Sequence, residues 1–113
     1  MLRLEEYWSC VIDTLKIFPC KTRVKWSKIS EPTIWEDRVF IPTSHYVETG
    51  TLDPVPMREV EWIEVDTIEI RYIGRLVADR RIEHMADLMQ AFEEKAIPFQ
   101  QIGQLLRFTY LSV

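Results

Sequence analysis

The chain has 113 residues, of which 47% are hydrophobic and 28% charged, and its formal net charge at pH 7 is −4. A chain of this length builds one hydrophobic core, so residues 1–113 are expected to form a single domain. The composition is that of a folded chain, and no apolar run approaches the ~20 residues that cross a bilayer. Glu5 and Glu6 fall where a secretory signal needs apolar residues, which favours a cytoplasmic protein.

The first predicted element is an amphipathic helix. Apolar residues recur at spacings of three and four in one stripe, namely Leu4, Trp8, Val11, Leu15 and Phe18. Pro19 is expected to end this helix because proline cannot donate the next hydrogen bond. Cys10 and Cys20 would then lie ~15 Å apart along the helix axis, whereas a disulfide needs α-carbons within about 7 Å. Two free thiols are therefore predicted.

Several strands are predicted between residues 21 and 73. Residues 21–29 alternate charged and apolar side chains, and residues 33–41 form a second candidate, which a turn at Glu36-Asp37 would convert into a short hairpin. Residues 42–57 lack periodicity and contain three prolines, which indicates a long loop of the kind that often carries function. An irregular edge strand near residues 45–48 is the alternative.

The segment EVEWIEVDTIEI, residues 59–70, interleaves carboxylates with large apolar side chains and predicts a half-buried strand with an acidic outer face. Residues 58–65 and 67–73 are expected to form either a hairpin that turns near Asp66-Thr67 or one long strand. The apolar residues occupy even-numbered positions up to Trp62 and odd-numbered positions from Ile63 to Val65. This shift predicts an inserted bulge residue, because one extra residue exchanges the two faces of a strand.

The last third of the chain predicts a helix and a hairpin. Gly74 ends the strands, Asp79 is the expected cap of the second helix, and Pro98 bounds that helix. Residues 99–113 are expected to turn about Gly103-Gln104. The order α-β-β-β-β-α-β-β predicts an α+β domain with two helices and a largely antiparallel sheet of about five to seven strands. Its predicted core comprises Trp8, Val11, Leu15, Trp26, Val60, Trp62, Met85, Met89, Phe92, Leu106 and Phe108.

Motifs of known chemistry are missing from the sequence. It has no nucleophile elbow, no phosphate-binding glycine loop and no zinc-protease helix, and its acidic residues match no calcium loop. We therefore predict no catalytic residue, no metal ligand and no cofactor, and the chain is not expected to be an enzyme. The alternative is a small enzyme or ligand-binding protein that uses His45 and a carboxylate in a cleft beside the 42–57 loop.

The charge distribution indicates what kind of partner to expect. Residues 31–72 carry ten acidic and three basic side chains, which argues against nucleic acid because phosphate binding requires clustered Lys and Arg. Arg23 and Lys25 are positioned to pair with Glu59 and Glu61 across neighbouring strands, and such pairs are purely structural. The remaining acids would be free to dock a basic protein. The predicted contact residues are Trp35, His45, Tyr46, Glu59, Glu61, Glu64, Asp66 and Glu69.

Small size, an acidic surface, one α+β domain and the lack of a catalytic motif together resemble bacterial immunity proteins and antitoxins. That resemblance implies a module that covers a toxin domain, often a basic nuclease, by charge complementarity, and it assigns no individual residue. The leading hypothesis is thus an immunity- or inhibitor-type protein that binds a basic protein and no membrane. A structural subunit or a homodimer that buries an edge strand against a second copy is the other alternative.

Overall fold

The computed structural model describes residues 2–37, 39–41, 44–49 and 54–110. Two helices and a set of short strands follow one another in the order α1 (Leu4–Leu15), β1 (Thr22–Trp26), β2 (Val39–Phe40), β3 (Tyr46–Thr49), β4 (Val55–Pro56), a 3-10 turn (Met57–Glu59), β5 (Val60–Asp66), β6 (Ile68–Arg71), β7 (Arg80–Glu83), α2 (Met85–Glu94), β8 (Gln100–Ile102) and β9 (Leu105–Phe108). All the strand pairs are antiparallel. The predicted α+β class is therefore confirmed.

The main sheet has four strands in the order β1-β5-β9-β8. Its inner face carries residues such as Val24, Ile63 and Phe108, which are opposite one another in the register and are buried in one core with both helices. Phe92 of α2 lies with its ring 4.4 Å from that of Phe108, between centroids. Because large-to-alanine changes at such sites cost about 3–5 kcal/mol, this cluster supplies much of the folding free energy.

Strand β5 contains a bulge, as the sequence predicts, but the extra residue is Glu61 and does not lie between Trp62 and Ile63. Lys25 is opposite Trp62 but Trp26 is opposite Val60, so Glu61 has no partner residue and the inward parity changes after it. Val60 and Ile63 therefore both reach the core. The extra residue also turns Trp62 to the outer face of the sheet, where it is half-buried, and its predicted core position was wrong.

The other predicted core residues lie in the core or against it. Trp8, Val11, Leu15, Val60, Phe92, Leu106 and Phe108 are buried. Trp26, Met85 and Met89 are partly buried and pack against this cluster. Helix α1 ends at Leu15 rather than at Pro19, and its stripe continues into Phe18, which is also partly buried. Both cysteines are free thiols, with Cys20 buried and Cys10 half-buried.

The segment before β2 does not form the strand predicted for residues 33–41. In its described part, up to Asp37, the chain runs along β1 through hydrogen bonds from Thr33 and Glu36 to Val24 and Thr22. A regular strand is limited to Val39–Phe40, which pairs with β3 in a second sheet of order β2-β3-β4. Strand β3 confirms that a strand lies near residues 45–48, but it is the central strand of this sheet, so the predicted edge position was wrong. Part of the predicted loop, residues 42–43 and 50–53, lies outside the described residues.

Strands β6 and β7 form a separate two-stranded sheet, so both sequence-based interpretations of residues 58–73 were wrong. Ile68 pairs with Glu83 and Arg71 with Arg80. The chain leaves the main sheet at Thr67, whose amide and hydroxyl both donate to the Gln104 carbonyl. Residues 68–83 are called the arm below. The predicted cap at Asp79 was also wrong, because residues 80–83 pair with β6 and α2 begins only after His84.

The C-terminal hairpin is confirmed. Strands β8 and β9 pair through Ile102 and Leu105, and the turn between them contains Gly103 with φ of +58°. A residue with a side chain is strained in this left-handed conformation, so glycine is the natural choice there.

Candidate functional site

The outer face of the main sheet is built around Glu64, whose side chain is fully buried. The register places Arg23 and Arg107 on either side of it. Arg23 Nε donates to Glu64 Oε1 at 2.8 Å, and Arg107 Nε donates to Oε2 at 2.8 Å. A carboxylate taken out of water needs such charged donors, since an unpaired buried charge costs several kcal/mol. Two guanidinium groups therefore hold one carboxylate on this face.

Two tryptophans cover the guanidinium groups of this cluster. The Arg23 guanidinium carbon lies 4.5 Å from the centroid of Trp35 and 5.7 Å from that of Trp62, and Arg107 lies 4.4 Å from Trp62. Cations over indole rings are attracted by about 0.5–1 kcal/mol each when exposed and by more when desolvated. Trp35, one of the predicted contact residues, is thus half-buried against Arg23. We call Arg23, Trp35, Trp62, Glu64 and Arg107 the Arg–Trp cluster.

Glu61 of β5 and Glu59 of the 3-10 turn before it also contact basic groups of the chain itself. Lys25 donates to Glu61 at 2.8 Å, and Lys28 lies 2.6 Å from Glu59. The hydrogen bond from Lys28 is the main reason why the pKa of Glu59 lies below its usual value. The predicted cross-strand pairing with the basic residues of β1 is therefore present. Its partners are Glu64 and Glu61 rather than Glu59 and Glu61, because the register differs from the expected one.

Asp66 and Glu69 stabilise the point where the arm leaves the body. Asp66 accepts hydrogen bonds from the Ile68 amide at 3.0 Å and from the Gln104 side chain at 2.9 Å. Glu69 contacts Arg71 and His84, both at 2.9 Å. The bond from Arg71, followed by that from His84, keeps the pKa of Glu69 below its usual value.

His45 and Tyr46 lie at the start of β3 and contact a different part of the molecule. His45 Nδ1 lies 2.8 Å from Glu5 Oε1 of helix α1, and the His45 side chain is largely exposed whereas Glu5 is half-buried. Tyr46 is exposed as well. The structure thus pairs His45 with a carboxylate, as the enzyme alternative requires. Neither His45 nor Glu5 lines any of three clefts on the described surface, beside Phe18, at the root of the arm and beside Phe99. The enzyme hypothesis stays a prediction.

The arm carries the largest exposed apolar side chains and was missed by the sequence analysis. Every residue from Ile70 to Arg81 is exposed. Leu76 is exposed over its whole surface and Tyr72 over 83% of it, and Ile73 and Val77 are more than half exposed. The same twelve residues contain four arginines and one acid, a net charge of +3. The available signal was the stretch YIGRLVADRR, in which apolar residues follow neither a helical nor a strand period.

Three clefts lie near these regions. The widest, about 350 Å³, is at the root of the arm between the body and β6, and Lys21, Asp37, Asp66, Ile70 and Tyr72 are among its lining residues. A cleft of about 150 Å³ lies beside Phe18 and Cys20, and one of about 170 Å³ beside Phe99 and Arg107. Burial raises the pKa of Cys20 to about 11, so its thiol is protonated and unreactive at neutral pH.

The part of the chain that the structure describes contains neither a candidate metal site nor a membrane-spanning helix. Among those residues, no group of three or more His, Cys, Asp or Glu side chains is arranged to hold a metal ion. None of the described helices is long and apolar enough to span a membrane.

Comparison with known families gives one match. A family profile covers residues 9–112, which include most of α1 and all the elements that follow it. The chain belongs to a family of unknown function, DUF6678. No curated protein and no solved structure matches it. The family assigns no activity to its members.

Proposed function

We propose that this DUF6678 protein is a small protein-binding module of the immunity or inhibitor kind, and that it contacts its partner with the tip of the arm. The observation that supports this most directly is the exposure of Leu76, together with Ile73 and Val77, at the tip, that is residues 72–79, which join the two strands of the arm. Clustered apolar side chains in water are unfavourable for a monomer and mark interaction sites. Burial of one leucine side chain contributes about 1.5–3 kcal/mol.

The charges around the tip favour a particular kind of contact surface. Arg75, Arg80 and Arg81 flank the apolar residues and are exposed. Arginine is enriched in protein interfaces, where its planar group pairs with carboxylates and packs on aromatic rings. The tip therefore suits an apolar pocket with a carboxylate rim. An inhibitor that inserts such a tip would block whatever the pocket of its partner normally binds.

Docking of a basic partner on the acidic strand remains a second proposal. Glu61 keeps about half of its side chain exposed despite its bond to Lys25, and it is accessible to a partner. Helix α2 adds exposed carboxylates at Asp87, Glu93 and Glu94 and contains no Lys or Arg. Association through these acids would slow steeply as salt rises, because exposed charges are screened within about 8–10 Å at physiological ionic strength.

Affinity capture with defined variants tests the proposal. The wild-type chain, a Leu76→Ser/Val77→Ser variant and an Ile17→Ser/Ile34→Ser variant would be used as bait in lysate of the native cell. Ile17 and Ile34 are matched controls, because they are exposed apolar residues outside the arm. A partner that is retained by the control variant and lost by the arm variant supports the proposal. Equal retention by both variants contradicts a contact through the tip.

The immunity function needs a separate measurement. The protein would be co-expressed with toxin domains encoded beside its gene, and growth would be compared between the wild type, the arm variant and a Glu61→Lys variant. Rescue that is lost only in the arm variant supports the tip proposal. Rescue that is lost only in Glu61→Lys supports the acidic-strand proposal, and no rescue by the wild type contradicts the immunity assignment.

A further inference from the structure

Strand β6 has an open edge in the described part of the chain. It pairs with β7 on one side, and no strand among the described residues pairs with its other side. The His84 amide donates to the Thr67 carbonyl, whereas the Ile68 amide turns away and donates to Asp66. Bonding residues alternate along an antiparallel pair, so Glu69 and Arg71 bond to β7. The backbone groups of Ile70 therefore point to the open edge, and such edges recruit further strands.

The sequence of β6 is complementary to itself. In an antiparallel pair of two copies centred on Ile70, each Glu69 is opposite Arg71 of the other copy, and each Ile68 is opposite Tyr72 of the other copy. Opposite charges and apolar pairs directly across two strands stabilise a sheet. Strand alternation places Ile68, Ile70 and Tyr72 on one face and the charged pairs on the other. No other antiparallel register centred on a residue of β6 places Glu69 of each copy opposite Arg71 of the other.

The surroundings of β6 fit a second copy as well. The root of the arm has an acidic excess, since Asp37, Asp66 and Glu69 line the 350 Å³ cleft with Lys21 as its one basic residue, whereas residues 70–81 are basic. Antiparallel pairing lays the tip of one copy beside the root of the other. The chain outside residues 70–81 has 10 basic and 17 acidic residues, a net charge of −7 against +3 for those twelve residues. Charge complementarity therefore favours the same two-fold arrangement.

We propose that two copies of this chain associate through β6 in antiparallel register about Ile70, which forms a four-stranded sheet β7-β6-β6-β7 across the dimer. The contact is isologous, with each copy contributing the same edge, and such closed two-fold contacts are the commonest in protein oligomers. This inference does not depend on the proposed function, because it uses the edge of β6 and not Leu76 and Val77. It identifies the edge strand that a homodimer would bury.

Sedimentation equilibrium of the purified full chain, over a range from micromolar to near-millimolar concentration, is the test. The expected mass rises from 13.5 kDa toward twice that value as the concentration increases. Arg71→Glu alone and Glu69→Arg alone each place like charges opposite one another twice. Each variant should therefore weaken self-association at least tenfold. A mixture of the two variants restores both charge pairs and should form a heterodimer.

Two control variants separate the loss of the β6 contact from a general effect of charge and from unfolding. Arg58→Glu reverses an exposed charge outside the arm and should leave self-association unchanged. Ile70→Lys changes neither charged residue and should abolish association, while the far-ultraviolet circular dichroism spectrum should stay that of the wild type. This variant therefore still tests the proposal if Glu69→Arg unfolds. A wild-type chain that is monomeric over the whole range overturns the proposal. So does a dimer that is unaffected by both Ile70→Lys and Arg71→Glu.

Discussion

Strands β5 and β6 are adjacent in sequence and have similar patterns of alternating acidic and apolar residues, yet they end in opposite environments. The outer face of β5 is covered, because Arg23 and Arg107 reach over it from the two neighbouring strands and enclose Glu64. Strand β6 pairs with one strand, β7, in the part of the chain that the structure describes, and its Ile70 is exposed. The comparison shows that alternation identifies a strand but does not reveal how many of its edges and faces will be covered.

The largest effect is expected from Glu64→Gln in the covered region. The change removes the buried charge that two guanidinium groups share, and it should lower the free energy of unfolding by about 2–4 kcal/mol. Glu61→Gln is the matched control, since its ion pair is half-exposed, and it should cost less than about 1 kcal/mol. Urea denaturation measures both. Equal costs would mean that Glu64 is no more important than a surface carboxylate.

Trp62→Ala should have an intermediate effect. The indole is half-buried and contacts two guanidinium groups, so its loss is expected to cost about 1–2 kcal/mol. Phe108→Ala, on the inner face of the same sheet, should cost about 3–5 kcal/mol. The denaturation midpoints of the two variants give the comparison. If Trp62→Ala lowers the free energy of unfolding as much as Phe108→Ala, Trp62 contributes as much to stability as a core residue, which contradicts the outer position assigned to it.

The root of the arm should make stability depend on pH. The pKa of Glu69 is lowered in the folded state by Arg71 and then by His84, so folding is favoured while this carboxylate is ionised. That contribution is present above the unfolded pKa of about 4.3 and is lost as pH falls through the lower folded value. The melting temperature of Glu69→Gln should therefore fall less steeply than that of the wild type between pH 5 and about pH 3. Parallel curves would contradict the assigned role of Glu69.

The smallest effect on stability is expected at the tip of the arm. Leu76→Ser and Val77→Ser remove side chains that are exposed, so each should change the free energy of unfolding by less than about 0.5 kcal/mol. Urea denaturation at low protein concentration, where self-association is weak, measures this. A larger loss in either variant would show that the tip packs against the body and is unavailable to a partner.

Much of the fold could be predicted because its signals are local. The apolar stripe of α1 has a helical period, Gly103 allows the left-handed turn of the last hairpin, and the parity change around Trp62 indicates the bulge of β5. Each of these features depends on the conformation of a few consecutive residues. The free cysteines follow from the same reasoning, because a helix separates them.

Only the tertiary structure decided which strands are neighbours, and the candidate surfaces depend on that. The acids of β5 belong to an acidic stretch of the sequence, but Lys25, Arg23 and Arg107 come from distant segments and neutralise much of that charge. Residues 80–83 resemble the start of a helix, yet their pairing with β6 prevails over local propensity. Local patterns are set by side-chain direction within one segment, whereas strand pairing and burial are set by contacts between segments that the sequence order does not specify.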